Sequence, residues 1–198
     1  MSEIKANKLS PATGVGLQLG DSGDTITVPS GCTIDASAGT ATGFGSSGFT
    51  QGTATATTSG ASHDYTSIPS GTDMIVINLF EVSEASNTSL KIQLGDSGGI
   101  ETSGYINGSY IAYANAENNT DGFELEQQDA SSEFSGQLIL TLIDSSDNTW
   151  AFNGSMFVSS YASTSVGAKS LSGELDRIRL TSDSGSAFDN GKFNIMYM

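Results

Sequence analysis

Met74-Ile75-Val76-Ile77-Asn78-Leu79-Phe80-Glu81-Val82, followed by Leu90-Lys91-Ile92-Gln93-Leu94, decides the fold of this chain. The first run is apolar at nearly every position and β-branched at four; it reads as a strand buried on both faces for most of its length. The second alternates apolar and polar residues with period two, the pattern of a half-buried strand. Between them Ser86-Asn87-Thr88-Ser89 supplies turn formers. The same texture continues to the end. Strands are predicted over 105–113, 122–127, 137–143, 150–158, 175–181 and 192–198. Gly95-Asp96-Ser97-Gly98-Gly99, Asn118-Asn119-Thr120-Asp121-Gly122 and Ser145-Ser146-Asp147-Asn148 separate them.

Upstream, alternating Thr53, Thr55 and Thr57 mark a first strand. The strongest helical candidate, around 117–132, lacks sustained i, i+3, i+4 apolar spacing. About eight strands at intervals of roughly ten to fifteen residues predict an all-β fold, an antiparallel, jelly-roll-like β-sandwich. Its core is expected from Ile75, Ile77, Leu79, Leu90, Ile92, Leu94, Leu138, Leu140, Leu142, Trp150, Phe152, Ile178, Leu180, Phe193 and Ile195. Gly154 interrupts the alternation Trp150, Phe152, Met156, Val158, and a close approach by a neighbouring strand is expected there.

The N-terminal residues read differently. They are polar and rich in Gly, Ser and Thr, with isolated apolar residues at Ile4, Leu9, Val15, Leu17, Leu19, Ile26, Val28 and Ile34. So little apolar surface cannot offset the entropy of ordering the segment alone. Residues 1–48 are therefore expected to form an extended attachment or oligomerisation arm that orders against other subunits, and residues 49–198 the sandwich.

Composition excludes several functions. The chain has 198 residues, 22 acidic and 7 basic, for a formal net charge of −15. With no Lys/Arg cluster to neutralise phosphates, nucleic acid is an unfavourable partner, and so is an anionic membrane surface. Cys32 is the only cysteine and His63 the only histidine. No intrachain disulfide can form, and a zinc site lacks ligands. The start lacks the layout of a signal peptide, so synthesis in a cytoplasm is expected. The N-x-S/T triplets at Asn87, Asn107, Asn118 and Asn153 are then products of composition.

Gly95-Asp96-Ser97-Gly98-Gly99 reproduces the words around the nucleophile of chymotrypsin-like serine proteases. Catalysis would need His63 as base and Asp73 to orient it. Too little chain precedes Ser97 for that fold, and Gly20-Asp21-Ser22-Gly23 repeats most of the motif, so a β-turn is expected. Glu124 and Glu126 share a strand face near Asp121, and Glu81 and Glu84 flank a strand end; a solvated face is expected rather than a glycosidase pair. The oxygen-rich loops Asp144–Asn148 and Asp183–Asn190 lack EF-hand spacing and read as turns, so no metal or cofactor is expected. Tyr105, Tyr110, Tyr113 and Tyr161 are candidate glycan-stacking or subunit-interface aromatics, with buried packing the alternative for each.

SEIKANKLSP at 2–11, GDSGDTITVPSG at 20–31 and TATGFG at 40–45 resemble the N-terminus of virion structural proteins of marine tailed bacteriophages, described as tail-fibre-like or minor structural proteins. The closing Leu175–Thr181 and Phe188–Tyr197 segments are similar to the C-terminal signature of such proteins. The resemblance implies a non-enzymatic virion component, a homotrimer, with other virion proteins (tail or major capsid protein) as partners. A tail-fibre-type appendage exposing its sandwich to a host-surface glycan is the first expectation. A trimeric capsid decoration protein that stabilises the head is the second. Without the resemblance, a carbohydrate-binding β-sandwich module is the alternative.

Overall fold

The computed structural model describes residues 25, 27–32, 48–112, 118–127 and 129–198. The chain divides into two compact units, Met1–Gly45 and Ser46–Met198. In the first, the Cys32 amide donates to the Pro29 carbonyl at 3.1 Å, closing a turn. Val28 and Cys32 are exposed. Ile4, Leu9, Val15, Leu17, Leu19, Ile26 and Ile34 lie outside the described residues, as does Tyr113.

The second unit is an antiparallel β-sandwich. Its strands are β1 (Thr50–Gln51), β2 (Thr55–Ala56), β3 (Ser62–Tyr65), β4 (Met74–Glu84), β5 (Leu90–Asp96), β6 (Gly99–Ile100) and β7 (Ile106–Ile111). They continue with β8 (Phe123–Leu125), β9 (Phe134–Asp144), β10 (Thr149–Val158), β11 (Tyr161–Ser170), β12 (Arg177–Ser182) and β13 (Phe188–Tyr197). One sheet has eight strands in the order β1-β13-β4-β9-β10-β11-β7, with β2 also paired to β13. The other has five, in the order β3-β12-β5-β6, with β8 also on β5. The chain passes repeatedly from one sheet to the other, so that β3, β4 and β5 each pair with β12 or β13 from the far end of the sequence. This alternation between two antiparallel sheets makes the unit a β-sandwich. No helix occurs among the described residues.

The core lies between the sheets, as the alternation requires. Ile75, Ile77 and Leu79 of β4 face Leu90, Ile92 and Leu94 of β5 and Ile178 and Leu180 of β12 within one buried cluster. Fourteen of the fifteen expected core residues are buried; Leu142 is partly exposed and packs against the cluster's rim. Complete burial of the Phe123 ring joins the layers: it stacks on Phe152 of the eight-stranded sheet at 4.2 Å with the planes 4° apart.

Several expectations are corrected. β4 is not buried on both faces: Ile75, Ile77 and Leu79 are buried, while Met74, Val76 and Asn78 are only half-covered and Phe80 is exposed. A bulge between Leu79 and Val82, with Glu81 at φ 51°, leaves Phe80 and Glu81 both outside. Four strands were not predicted: the two-residue β1 and β6, the four-residue β3 and the ten-residue β11. The last reads Tyr-Ala-Ser-Thr-Ser-Val-Gly-Ala-Lys-Ser and lacks the apolar alternation that marks a half-buried strand.

Candidate functional site

The GDSGG segment is a hairpin. Gly95 pairs with Ile100 and Asp96 with Gly99, leaving Ser97-Gly98 as a two-residue loop. The Asp96 carboxylate accepts the Gly98 amide at 2.7 Å and the Ser172 hydroxyl at 2.8 Å. A Cβ on Gly95 would lie 2.2 Å from the Gly99 carbonyl oxygen and 2.8 Å from the Ile100 Cα, so the motif's first glycine is required by the turn itself. His63 sits on β3 beside Leu180 of β12, which in turn pairs with Ile92 of β5. Strand spacings put it roughly 20 Å from Ser97. Its ring packs on Phe188 at 5.1 Å, and its Nε2 has no hydrogen-bond partner among the described residues. The fold does not bring serine and histidine together.

The carboxylates expected on a solvated face are instead enclosed. Glu124 and Glu126 are 9% and 7% exposed. Glu124 accepts from Asn119 Nδ2 at 3.1 Å, and Glu126 from Ser109 Oγ at 3.3 Å. The Glu124 amide donates to Asn107 Oδ1 of β7 at 3.1 Å, so the short strand β8 lies against polar residues of that strand. Glu84 is also buried, accepting from Thr88 Oγ1 at 2.6 Å and Ser182 Oγ at 2.5 Å. Lys91, at 4% exposure, pairs with Asp121 at 2.8 Å and with Asp183. Burial works against the Lys91 charge, but hydrogen bonds and attraction from the two aspartates outweigh it and hold the ammonium above its ordinary value.

The oxygen-rich loops are turns. Asp144 accepts the Ser146 amide at 2.8 Å, and Asp147 the Thr149 amide at 3.1 Å. Asp183 is committed to Lys91, and Asp189 accepts the Ser83 hydroxyl at 2.5 Å. Among the described residues no group of three His, Cys, Asp or Glu side chains is placed to hold a metal.

The tyrosines separate. Tyr105 is 3% exposed; its hydroxyl donates to the Glu101 carbonyl at 3.0 Å and accepts the Leu94 amide at 2.7 Å. Burial pushes that hydroxyl well above the usual phenol range. A sugar cannot reach this ring, so Tyr105 takes the packing alternative. Tyr105→Phe is expected to lower stability by about 1–2 kcal/mol by stranding a buried strand amide, a loss readable by urea denaturation. Tyr161 opens β11 half-buried against the core. Tyr110 is exposed on β7, pointing away from the core.

A depression of about 290 Å³ lies between the 71–73 turn, Asn148, Trp150 and Glu174. The Glu174 carboxylate is already occupied, accepting the Gly71 amide at 2.8 Å and the Ser70 hydroxyl at 2.8 Å. Those two donors hold it below its ordinary value. The Thr72 hydroxyl donates to the Pro69 carbonyl at 2.8 Å. Glu174 and Thr72 thus fasten loops together, while the buried Trp150 Nε1 has no hydrogen-bond partner among the described residues. Nearby, Glu101 accepts from Lys169 and from the Ser172 amide. Burial raises its pKa, but these partners outweigh it and the net shift is downward. The stabilisation it gives is therefore complete above the unfolded carboxyl pKa and is lost as pH falls through the lowered folded value. Glu101→Gln should cost about 1–2 kcal/mol at neutral pH, and the gap from the parent protein should close in titrations taken well below about pH 4.

The two outer faces of the sandwich differ in charge. On the five-stranded sheet, Lys91, Arg177 and Arg179 all project outward, and Arg179 forms a two-point pair with Asp64 at 2.7 and 2.8 Å. The eight-stranded sheet presents apolar and amide side chains: Phe80, Ile106, Tyr110, Ile143, Phe157 and Val166 are each 47% or more exposed. The sequence reading named only Tyr110 of these six. The signal was present in the 149–170 stretch, which carries a single charged residue, Lys169. Comparisons with protein-family models, curated proteins and solved structures give no match.

Proposed function

We propose that this chain is a non-enzymatic structural protein of a tailed-bacteriophage virion, a homotrimeric tail-fibre-type appendage anchored by its N-terminal residues and exposing its sandwich. The reading rests first on the resemblance at both ends of the sequence. The C-terminal part of that resemblance falls on β12 and β13, each of which pairs with strands on both sides. The words that carry the resemblance thus fall on strands paired on both sides rather than on surface loops.

The observation that carries the assignment is the division of the chain. A sandwich with its own core occupies Ser46–Met198, and the sparse apolar ladder from Ile4 to Ile34 belongs to the other unit. A segment with that composition gains order from a partner. Removing residues 1–45 should leave a soluble, cooperatively melting sandwich that no longer enters particles, as scored by immunoblotting purified virions. Normal incorporation of the truncated chain would remove the arm's role. A trimeric capsid decoration protein that stabilises the head is the second reading. Copy number separates the two: a few to a few tens per particle for a tail appendage, hundreds for decoration.

A further inference from the structure

Strand alternation sends every second side chain of the eight-stranded sheet away from the core. All six exposed large apolar side chains borne on strands belong to this sheet, and none to the five-stranded one. Ile106 is 75% exposed, Phe157 57% and Val166 54%. One registered row crosses six strands: Met196, Val76, Ile139, Asn153, Val166 and Gly108. Around Ile139, Asn153 and Val166 the surface dips into an open groove of about 510 Å³.

Charge is missing from the centre of this face. Outward positions of β4 from Met74 to Phe80, of β9 from Gln137 to Ile143, of β10, of β11 and of β7 include no Asp, Glu, Lys or Arg. The chain as a whole carries 22 acidic residues. The exposed charges on the strands of this sheet lie at its margins, at Glu81, Asp144, Asp189 and Lys192; Glu84 and Lys169 are buried.

Six strands spaced about 4.8 Å apart, with the longest running about 33 Å, give a face of roughly 800 Å², the area one partner contributes to a standard protein–protein interface. Large apolar side chains exposed together on an uncharged face of that size mark an interaction site.

The electrostatics select the occupant. Another copy also carries −15 and is repelled by any acid-bearing surface; the neutral sheet face is where two copies meet without opposing like charges. A basic partner would be drawn to the acidic surfaces instead. The amides of Asn78, Gln137, Asn153 and Asn194 each offer a donor and an acceptor, so the face can complement itself. Gln137 Nε2 already donates to Asn78 Oδ1 at 2.8 Å.

We propose that copies of this chain dock on one another through the outer face of the eight-stranded sheet, centred on Ile139, Asn153 and Val166. This rests on the reading of the chain as a self-assembling structural protein.

The test is sedimentation and light scattering of the full chain, whose single-copy mass is 20.4 kDa. Val166→Glu and Ile106→Glu place a carboxylate at positions more than half exposed in one copy, and their thermal melts should match the parent. Ser62→Glu on the opposite sheet is the control. The parent should sediment as an oligomer; both face variants should weaken association by about 100-fold or more and run as single copies, with Ser62→Glu unchanged. A single-copy parent at the highest concentration reached would overturn the proposal. So would face variants that remain oligomeric, or an oligomer dissolved by deleting residues 1–45 yet indifferent to Val166→Glu. Failure of the virion reading shows separately, as absence of the parent chain from purified particles while its self-association persists.

Discussion

Phe123→Ala is expected to destabilise the sandwich by about 3–5 kcal/mol, lowering its melting temperature by roughly 10 °C. The ring is fully buried. It stacks on Phe152 with ring centres 4.2 Å apart and receives the edge of Tyr105 at 5.0 Å and 87°. It is carried by the three-residue strand β8, whose ladder to β5 holds only Phe123, Glu124 and Leu125. So short a strand has few backbone bonds to fix it, and the side chain does most of the anchoring across the two layers. Truncation empties a ring-sized volume beside Phe152 and removes both aromatic contacts. Phe123→Leu keeps most of the volume and should cost less than half as much. Chemical denaturation of both variants measures the difference. A loss below about 1 kcal/mol for the alanine would mean that β8 is not docked as described.

What could be read in the sequence follows from how each strand is used. β4, β5, β9, β10, β12 and β13 put Ile, Leu, Val, Phe or Trp on the inner face, and period two therefore finds them. β11 faces inward with Ser163, Ser165, Gly167 and Lys169. It lies beside polar β7, where Asn107 Nδ2 donates to Ser165 Oγ at 3.1 Å, so its interior is hydrogen-bonded rather than apolar. A pattern of hydrophobicity has nothing to detect there. The same limit hid the outer face. Val76 lies between the inward-facing Ile75 and Ile77, and Phe80 follows the inward-facing Leu79; a single sequence does not separate a residue covered by its own chain from one left for another copy. The buried glutamates were illegible for a different reason: Glu124 is met by Asn119 of the 118–122 loop and Glu126 by Ser109 of β7, contacts between separate segments that strand periodicity does not encode.

Gly154→Ala should cost about 2–3 kcal/mol although it adds a single methyl group. Gly154 takes an inward position on β10, opposite Leu138 of β9 and Ser165 of β11. A Cβ built there would lie 2.4 Å from Leu138 Cδ2, 2.7 Å from the Gln137 carbonyl oxygen and 2.9 Å from the Leu138 Cα. The leucine methyl can rotate away at the cost of core packing; the two backbone atoms move only if β9 moves. Leu138→Ala alone should cost about 2–5 kcal/mol through the cavity it leaves. In the double variant the new methyl enters part of that cavity, so the combined loss should fall short of the sum by about 1 kcal/mol while remaining larger than that of Leu138→Ala. Strict additivity in a denaturation cycle would place all of the strain on the Gln137 backbone; a Gly154→Ala loss under about 0.5 kcal/mol would contradict the close approach. Asn153 and Ser155 flank this glycine and line the groove on the outer face. A shift of β9 against β10 therefore also disturbs the row from Ile139 to Val166. Gly154→Ala should accordingly weaken self-association as well as folding, whereas Phe123→Ala, on the far side of the core, should affect folding alone.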